Sequence, residues 1–145
     1  MASPAEGIKD ILITEGVAAL VASGSAWTIK VGRIISEPDK LLVVFDTGAA
    51  QNPNPKWLLE YPTAQVIIRA AKDDYAGGWS KAKDVKDVLL GRDPATISGA
   101  LWDSITMLSD IAFLKYDDQN RPLFSVNFRI ILEPPTSDLT NREPL

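Results

Sequence analysis

The clearest pattern in the chain lies in "LFSVNFRIILEP", where Phe124, Val126, Phe128, Ile130 and Leu132 alternate with Ser125, Asn127, Arg129, Ile131 and Glu133. A period of two marks a strand with one face turned to a core. The preceding run, "WDSITMLSDIAFLKYD", is also strand-like, and "DQNR" between them supplies turn residues, so a long antiparallel hairpin is expected. Three shorter stretches read as strands too. "WTIKVGRII" alternates, "LLVVFDT" is a continuous apolar run of the kind buried on both faces, and "TAQVIIRAA" follows a proline-rich loop. With "EPDK" as a turn, the first two of these predict a second hairpin.

Two segments carry helical spacing instead. From Pro4 to Ala22, the positions Ile8, Ile11, Leu12, Ala18, Ala19 and Ala22 share one face, with Glu15 as the exception. Ser3 caps this helix, Pro4 suits its first turn, Glu6 holds the capping-box position, and Ser23-Gly24-Ser25 ends it. In "DDYAGGWSKAKDVKDVLLG", Asp73 or Asp74 is the cap and Tyr75, Trp79, Ala82, Val85 and Leu89 form the apolar stripe, which puts Trp79, like Trp27, in the core. Gly77-Gly78 costs about 1 kcal/mol per glycine in helix propensity, which moves the expected start to Trp79, and Gly91 is the stop. The economical packing of this order is an α+β fold: a single, mostly antiparallel sheet of about five strands with two main helices packed on it. Residues 1–134 form the expected domain, and 135–145 an extended, proline-rich tail.

Composition narrows the chemistry. The 145 residues contain neither cysteine nor histidine, which excludes disulfides, thiolate metal sites and the commonest general base. The net charge of −4 argues against a dedicated duplex-binding surface. Glu15 and Gly16 interrupt the N-terminal apolar stretch, so neither a signal peptide nor a membrane span is expected, and a soluble protein of a reducing cytoplasm is.

The search for a reactive site comes back empty. Neither GxxxxGK[ST] nor GxGxxG after a strand occurs. Asp117-Asp118 and Asn120 lack the glycine and distal glutamate of a calcium loop, Asp73-Asp74 is better explained by capping, and Lys81 beside Ser80 reads as a solvated helix lysine. No catalytic, cofactor or metal-binding residue is predicted. Trp57 stands apart, because it follows Asn52-Pro53-Asn54-Pro55-Lys56 in a loop. Tryptophan on a stiff loop suits a protein contact, where it loses little entropy on docking. The expected contact residues are Asp46, Thr47, Asn52, Pro53, Asn54, Pro55, Lys56 and Trp57 in this loop and Asp118, Asn120 and Arg121 in the later turn, with the loop mobile in a lone copy and ordered on assembly.

Three runs in consistent order, "VVFDTGAAQNPNPKWLLEYPTAQVIIRA", "YAGGWSKAKDVKDVLLG" and "SDIAFLKYDDQNRPLFSVNFRIILEP", resemble the small tail-terminator or minor capsid proteins of tailed bacteriophages. The resemblance covers about Leu42 to Pro134. It implies a non-enzymatic virion protein of the tail and neck, assembled in the host cytoplasm. Such a protein forms a ring with itself, typically a hexamer, between the tail tube protein and the head-side connector or stopper, and DNA passes through the lumen without specific binding. A head-completion or head-tail connector ring is the alternative from the same class. A small ligand-binding domain or enzyme, with the Asn-Pro loop as a lid, is the alternative from another.

Overall fold

The computed structural model describes residues 1–20 and 26–145. Its elements run α1 (Pro4–Thr14), β1 (Thr28–Val31), β2 (Leu41–Ala49), β3 (Pro62–Arg69), α2 (Tyr75–Leu89), β4 (Ala95–Ile97), β5 (Ala100–Met107), β6 (Ala112–Tyr116) and β7 (Pro122–Glu133). The strands form one sheet in the order β1-β2-β3-β7-β5-β4, with β6 also on β7. The class is α+β as expected, but the sheet is mixed and has seven strands rather than about five.

The expected hairpin of the first two strands is not formed: β1 and β2 are parallel, with Thr28 opposite Leu41 and Val31 opposite Val44. A parallel return normally needs a dozen or more residues. Here β1 is four residues long, so residues 32–40 suffice to bring the chain back to its start. The hairpin expected at the C-terminal end is present. β5 and β6 run in the same direction along β7, broken at residues 108–111, with Met107 opposite Phe128 and Ala112 opposite Ser125. β4 was not expected; three residues are too few for a period to show.

α1 starts as expected, with Ser3 Oγ accepting from the Glu6 amide. It ends at Thr14, eight residues before Ala22. Gly16 adopts a φ of +75°, the Gly16 amide donates to Ile13 and the Val17 amide to Leu12. This is the six-to-one and five-to-two pattern with which a left-handed glycine closes a helix. Residues 17–20 therefore leave the helix, and Ala22 and Ser23-Gly24-Ser25 lie outside the described residues.

α2 begins at Tyr75, not Trp79, capped by Asp74, whose carboxylate accepts from the Gly77 amide at 3.0 Å. Both glycines that argued against this start are needed, Gly77 to leave room for the capping Asp74 carboxylate and Gly78 for contact with the sheet. A Cβ on Gly78 would stand 2.5 Å from Cε2 of Phe124 on β7, so only glycine lets α2 lie this close to the sheet. Gly7 does the same for α1, where a Cβ would meet the Trp102 ring at 2.4 Å.

Both helices cover one face. Ile8, Ile11 and Leu12 of α1 and Ala82, Val85 and Leu89 of α2 join Leu42, Val44, Val66, Ile68, Phe124, Val126, Phe128, Ile130 and Leu132 in the core. Trp27 packs half-buried against this cluster. Trp79, expected inside, is 44% exposed, as is Tyr75. On the opposite face Leu41, Val43, Ile67 and Leu123 are buried as well, so the apolar run of β2 is covered on both sides.

Candidate interface surfaces

Antiparallel β3 and β7 set the geometry. Pro62 enters β3 from the Asn-Pro loop, whereas Arg69 leaves it opposite Leu123, next to the turn that opens β7. The eight residues of β3 span about 26 Å at 3.3 Å per residue. The expected contact residues therefore do not form one site. Asp46 to Trp57 stand at one end of the sheet and Asp118, Asn120 and Arg121 at the other.

At the first end, several residues serve the subunit itself. Asp46 lies on the helix-bearing face, and its carboxylate accepts from the Ala5 amide at 2.9 Å, adding to the cap of α1. Thr47 Oγ1 shares a 2.8 Å hydrogen bond with Thr63 Oγ1. Asn54 Oδ1 accepts from the Lys56 and Trp57 amides, both at 2.9 Å, a turn that asparagine favours. Trp57 is half-buried, with the Lys56 ammonium 4.8 Å from its ring centroid. Asn52, Pro53, Pro55 and Lys56 are exposed and form the rim.

The proline-rich tail returns to this loop. The Leu58 amide donates to the Glu143 carbonyl and the Glu143 amide to the Lys56 carbonyl, each at 2.8 Å. Arg142 donates through Nη1 to the Asn54 carbonyl at 3.2 Å and through Nη2 to Glu60 Oε2 at 2.6 Å. No periodicity in "PPTSDLTNREPL" announces this, because the contact uses backbone groups and one guanidinium.

At the second end, two buried arginines organise the surface. Arg69, 3% exposed, donates through Nε to the Asp39 carbonyl at 3.0 Å, through Nη1 to Ile35 at 2.7 Å and through Nη2 to Pro38 at 2.6 Å. These bonds hold residues 32–40 over the sheet face that carries Leu41 and Val43. Arg121 donates through Nε to Asp117 Oδ2 at 2.8 Å and through Nη1 to the Ser36 carbonyl at 2.7 Å and Asp39 Oδ1 at 3.0 Å. Burial pushes the Asp117 carboxyl upward, but hydrogen bonds from the Arg121 backbone and side chain and the Gln119 amide outweigh it and hold the pKa below its ordinary value. Burial, then repulsion from Arg121, lowers the pKa of Arg69. A cleft of about 320 Å³ between Ile34, Ser36 and Gln119 runs past both guanidinium groups. Nε, Nη1 and Nη2 of Arg69 and Nε and Nη1 of Arg121 are already directed at protein oxygens, which suits a brace better than an anion site. Asp118 and Asn120 are exposed at the tip.

A third surface escaped the sequence reading. All five residues of β6 are exposed, and among the described residues β6 pairs with β7 alone, leaving its outer edge open. Phe113 is 41% exposed, Leu114 47% and Tyr116 45%. Phe113 contacts Tyr75, Tyr116 and the fully buried Phe124 at centroid distances of 5.2, 5.4 and 5.5 Å. Trp79 lies one helical turn beyond Tyr75. The result is an aromatic surface continuous with the core and bordered by an unpaired strand edge, a combination that solitary domains normally avoid. Its available signal was "AFLKY" itself, four apolar residues of five beside a polar turn.

The described residues contain no cluster of three or more acidic side chains arranged to hold a metal ion. Comparison with curated proteins gives no match. A family model for bacteriophage tail terminator proteins matches residues 12–134, from the end of α1 through β7, and the chain belongs to that family of structural virion proteins.

Proposed function

We propose that this tail terminator acts as a head-to-tail ring, hexameric in number, that ends the tail tube and joins it to the head-side connector. The observation that carries the reading is the open β6 edge with Phe113, Leu114, Tyr116, Tyr75 and Trp79 beside it. A ring subunit needs a lateral surface that meets a different surface of the next copy. An apolar strand edge supplies backbone hydrogen bonds and aromatic anchors for that purpose. The two ends of the sheet then face along the ring axis. The exposed rim of Asn52, Pro53, Pro55 and Lys56 serves one axial neighbour, and Asp118 with Asn120 the other. The tail tube protein and the connector are those neighbours. A net charge of −4 suits a conduit through which DNA passes without adhering.

The test compares the wild type with Leu114→Lys by native mass spectrometry and negative-stain imaging. A lysine on an exposed edge strand discourages pairing without altering the core. The wild type is expected to form rings with an axial hole, alone or on purified tail tubes. The variant is expected to keep the wild-type melting temperature and lose the rings. Equal ring formation by both proteins rejects the β6 edge as the lateral contact. Copurification with tail tube protein supports the terminator position, and copurification with portal or adaptor protein alone rejects it.

A further inference from the structure

The family match ends at Pro134, and the eleven residues after it do something the shared domain does not account for. Leu132 is joined to the Asn-Pro loop by a pair of backbone bonds with Glu60, at 2.9 and 3.0 Å. Glu143 is joined to the same loop beside Trp57. The two attachment points on the loop are three residues apart, at most about 11 Å. The chain between Leu132 and Glu143 advances eleven residues (143 − 132), which reach about 36 Å when extended. Adding about 5 Å across each pairing puts Leu132 and Glu143 within about 21 Å of one another, so the connection is more than about one and a half times longer than its present path requires. The excess is taken up in a turn closed by the Asp138 amide on the Pro135 carbonyl, and much of it is open to solvent: Leu139 is fully exposed, and Thr136 and Ser137 are exposed as well.

We propose that this clasp is exchanged between copies, so that Thr140–Glu143 of one subunit occupies the Asn54–Glu60 cradle of its neighbour in the assembly. The inference rests on the ring reading for its setting. The bonds that hold the clasp, the two backbone bonds at Lys56 and Leu58 and the Arg142 fork to Asn54 and Glu60, can be made equally well by the identical segment of another copy. The cis and trans forms thus differ mainly in chain entropy. Neighbours held side by side in a ring present their tails to one another at high effective concentration, which lets the trans form compete with the cis one. The buried Pro134 and half-buried Pro135 direct the segment from the end of β7, and the slack beyond them supplies the reach.

A charge-reversed pair of variants tests the exchange. In Glu60→Arg the cradle is wrong for its own Arg142; in Arg142→Glu the tail is wrong for its own Glu60. Each variant is mismatched in cis and with copies of itself, whereas both contacts are matched between one copy of each. Equal amounts are mixed, and native mass spectrometry counts unlike neighbours, with the double variant Glu60→Arg/Arg142→Glu as the matched control and circular dichroism confirming that each single variant folds. Exchange predicts an excess of unlike over like neighbours of several-fold, the size expected for a partly exposed ion pair plus removal of a like-charge contact. Random mixing overturns the proposal. A wild type that forms no rings, while the mixed variants still pair as unlike dimers, removes the ring reading and keeps the exchange. Wild-type rings with random mixing of the variants keep the ring and remove the exchange.

Discussion

Replacing Arg69 with alanine should loosen residues 32–40 and destabilise the protein by about 2–3 kcal/mol. The side chain is 3% exposed and sends its strongest bonds to the carbonyls of Ile35, Pro38 and Asp39, at 2.7, 2.6 and 3.0 Å. A hydrogen bond to a charged group contributes about 1.5–3 kcal/mol, so three of them set an upper bound well above the expected loss. Two effects reduce it. Pro38 is exposed and Ile35 and Asp39 are only half-buried, so their carbonyls regain water once the guanidinium is gone. Removing Arg69 also relieves its repulsion with Arg121, which together with burial already lowers its pKa. Urea unfolding followed by tryptophan fluorescence is the assay. With a slope of about 2 kcal/mol per molar urea, the midpoint should fall by about 1–1.5 M. Arg69→Lys should recover little of this, because one ammonium cannot reproduce a planar fork directed at three separate carbonyls. A midpoint shift below about 0.3 M for the alanine variant, or full recovery by lysine, would refute the idea that the fork braces this end of the sheet.

Other expectations follow from single contacts. Gly78→Ala should lower the melting temperature although alanine favours helix by about 1 kcal/mol, because a Cβ 2.5 Å from the buried Phe124 ring overpacks the contact by about 1–3 kcal/mol; a higher melting temperature contradicts the close-approach argument. The folded state holds the Asp117 pKa below the ordinary 3.8, so its contribution is present above that value and is lost as pH falls through the depressed one; Asp117→Asn should flatten acid unfolding in that window, and an unchanged acid limb speaks against it. Glu133 is shifted the opposite way, raised from 4.5 by its hydrogen bond with Asp103, by burial and by that neighbour's charge. A raised carboxyl pKa costs stability once pH exceeds the ordinary value, so Glu133→Gln should stabilise the protein at pH 7 and not at pH 3, as read from paired thermal melts.

The sequence by itself determined the α+β class, the buried strand β2, the cap at Ser3, a cap at Asp73 or Asp74 that the structure places at Asp74, and the long C-terminal hairpin. These rest on local periodicity and short-range capping, which a single strand or helix turn already encodes. The lack of histidine, cysteine and a phosphate-binding loop is equally local, and it points from reactions to contacts. Only the tertiary structure decided the rest. That β1 pairs parallel with β2 shows only once residues 32–40 are placed over the sheet, where Arg69, some 30 residues further on, holds them. Whether Gly77-Gly78 break a helix or allow it to sit on Phe124 depends on a strand more than 40 residues away. Asp46 reads as a loop residue until Ala5 is placed against it, and Tyr75 and Trp79 read as core until the structure shows them 44% exposed. Pairing direction, close approach and exposure are properties of two distant segments at once, and no pattern within either segment carries them.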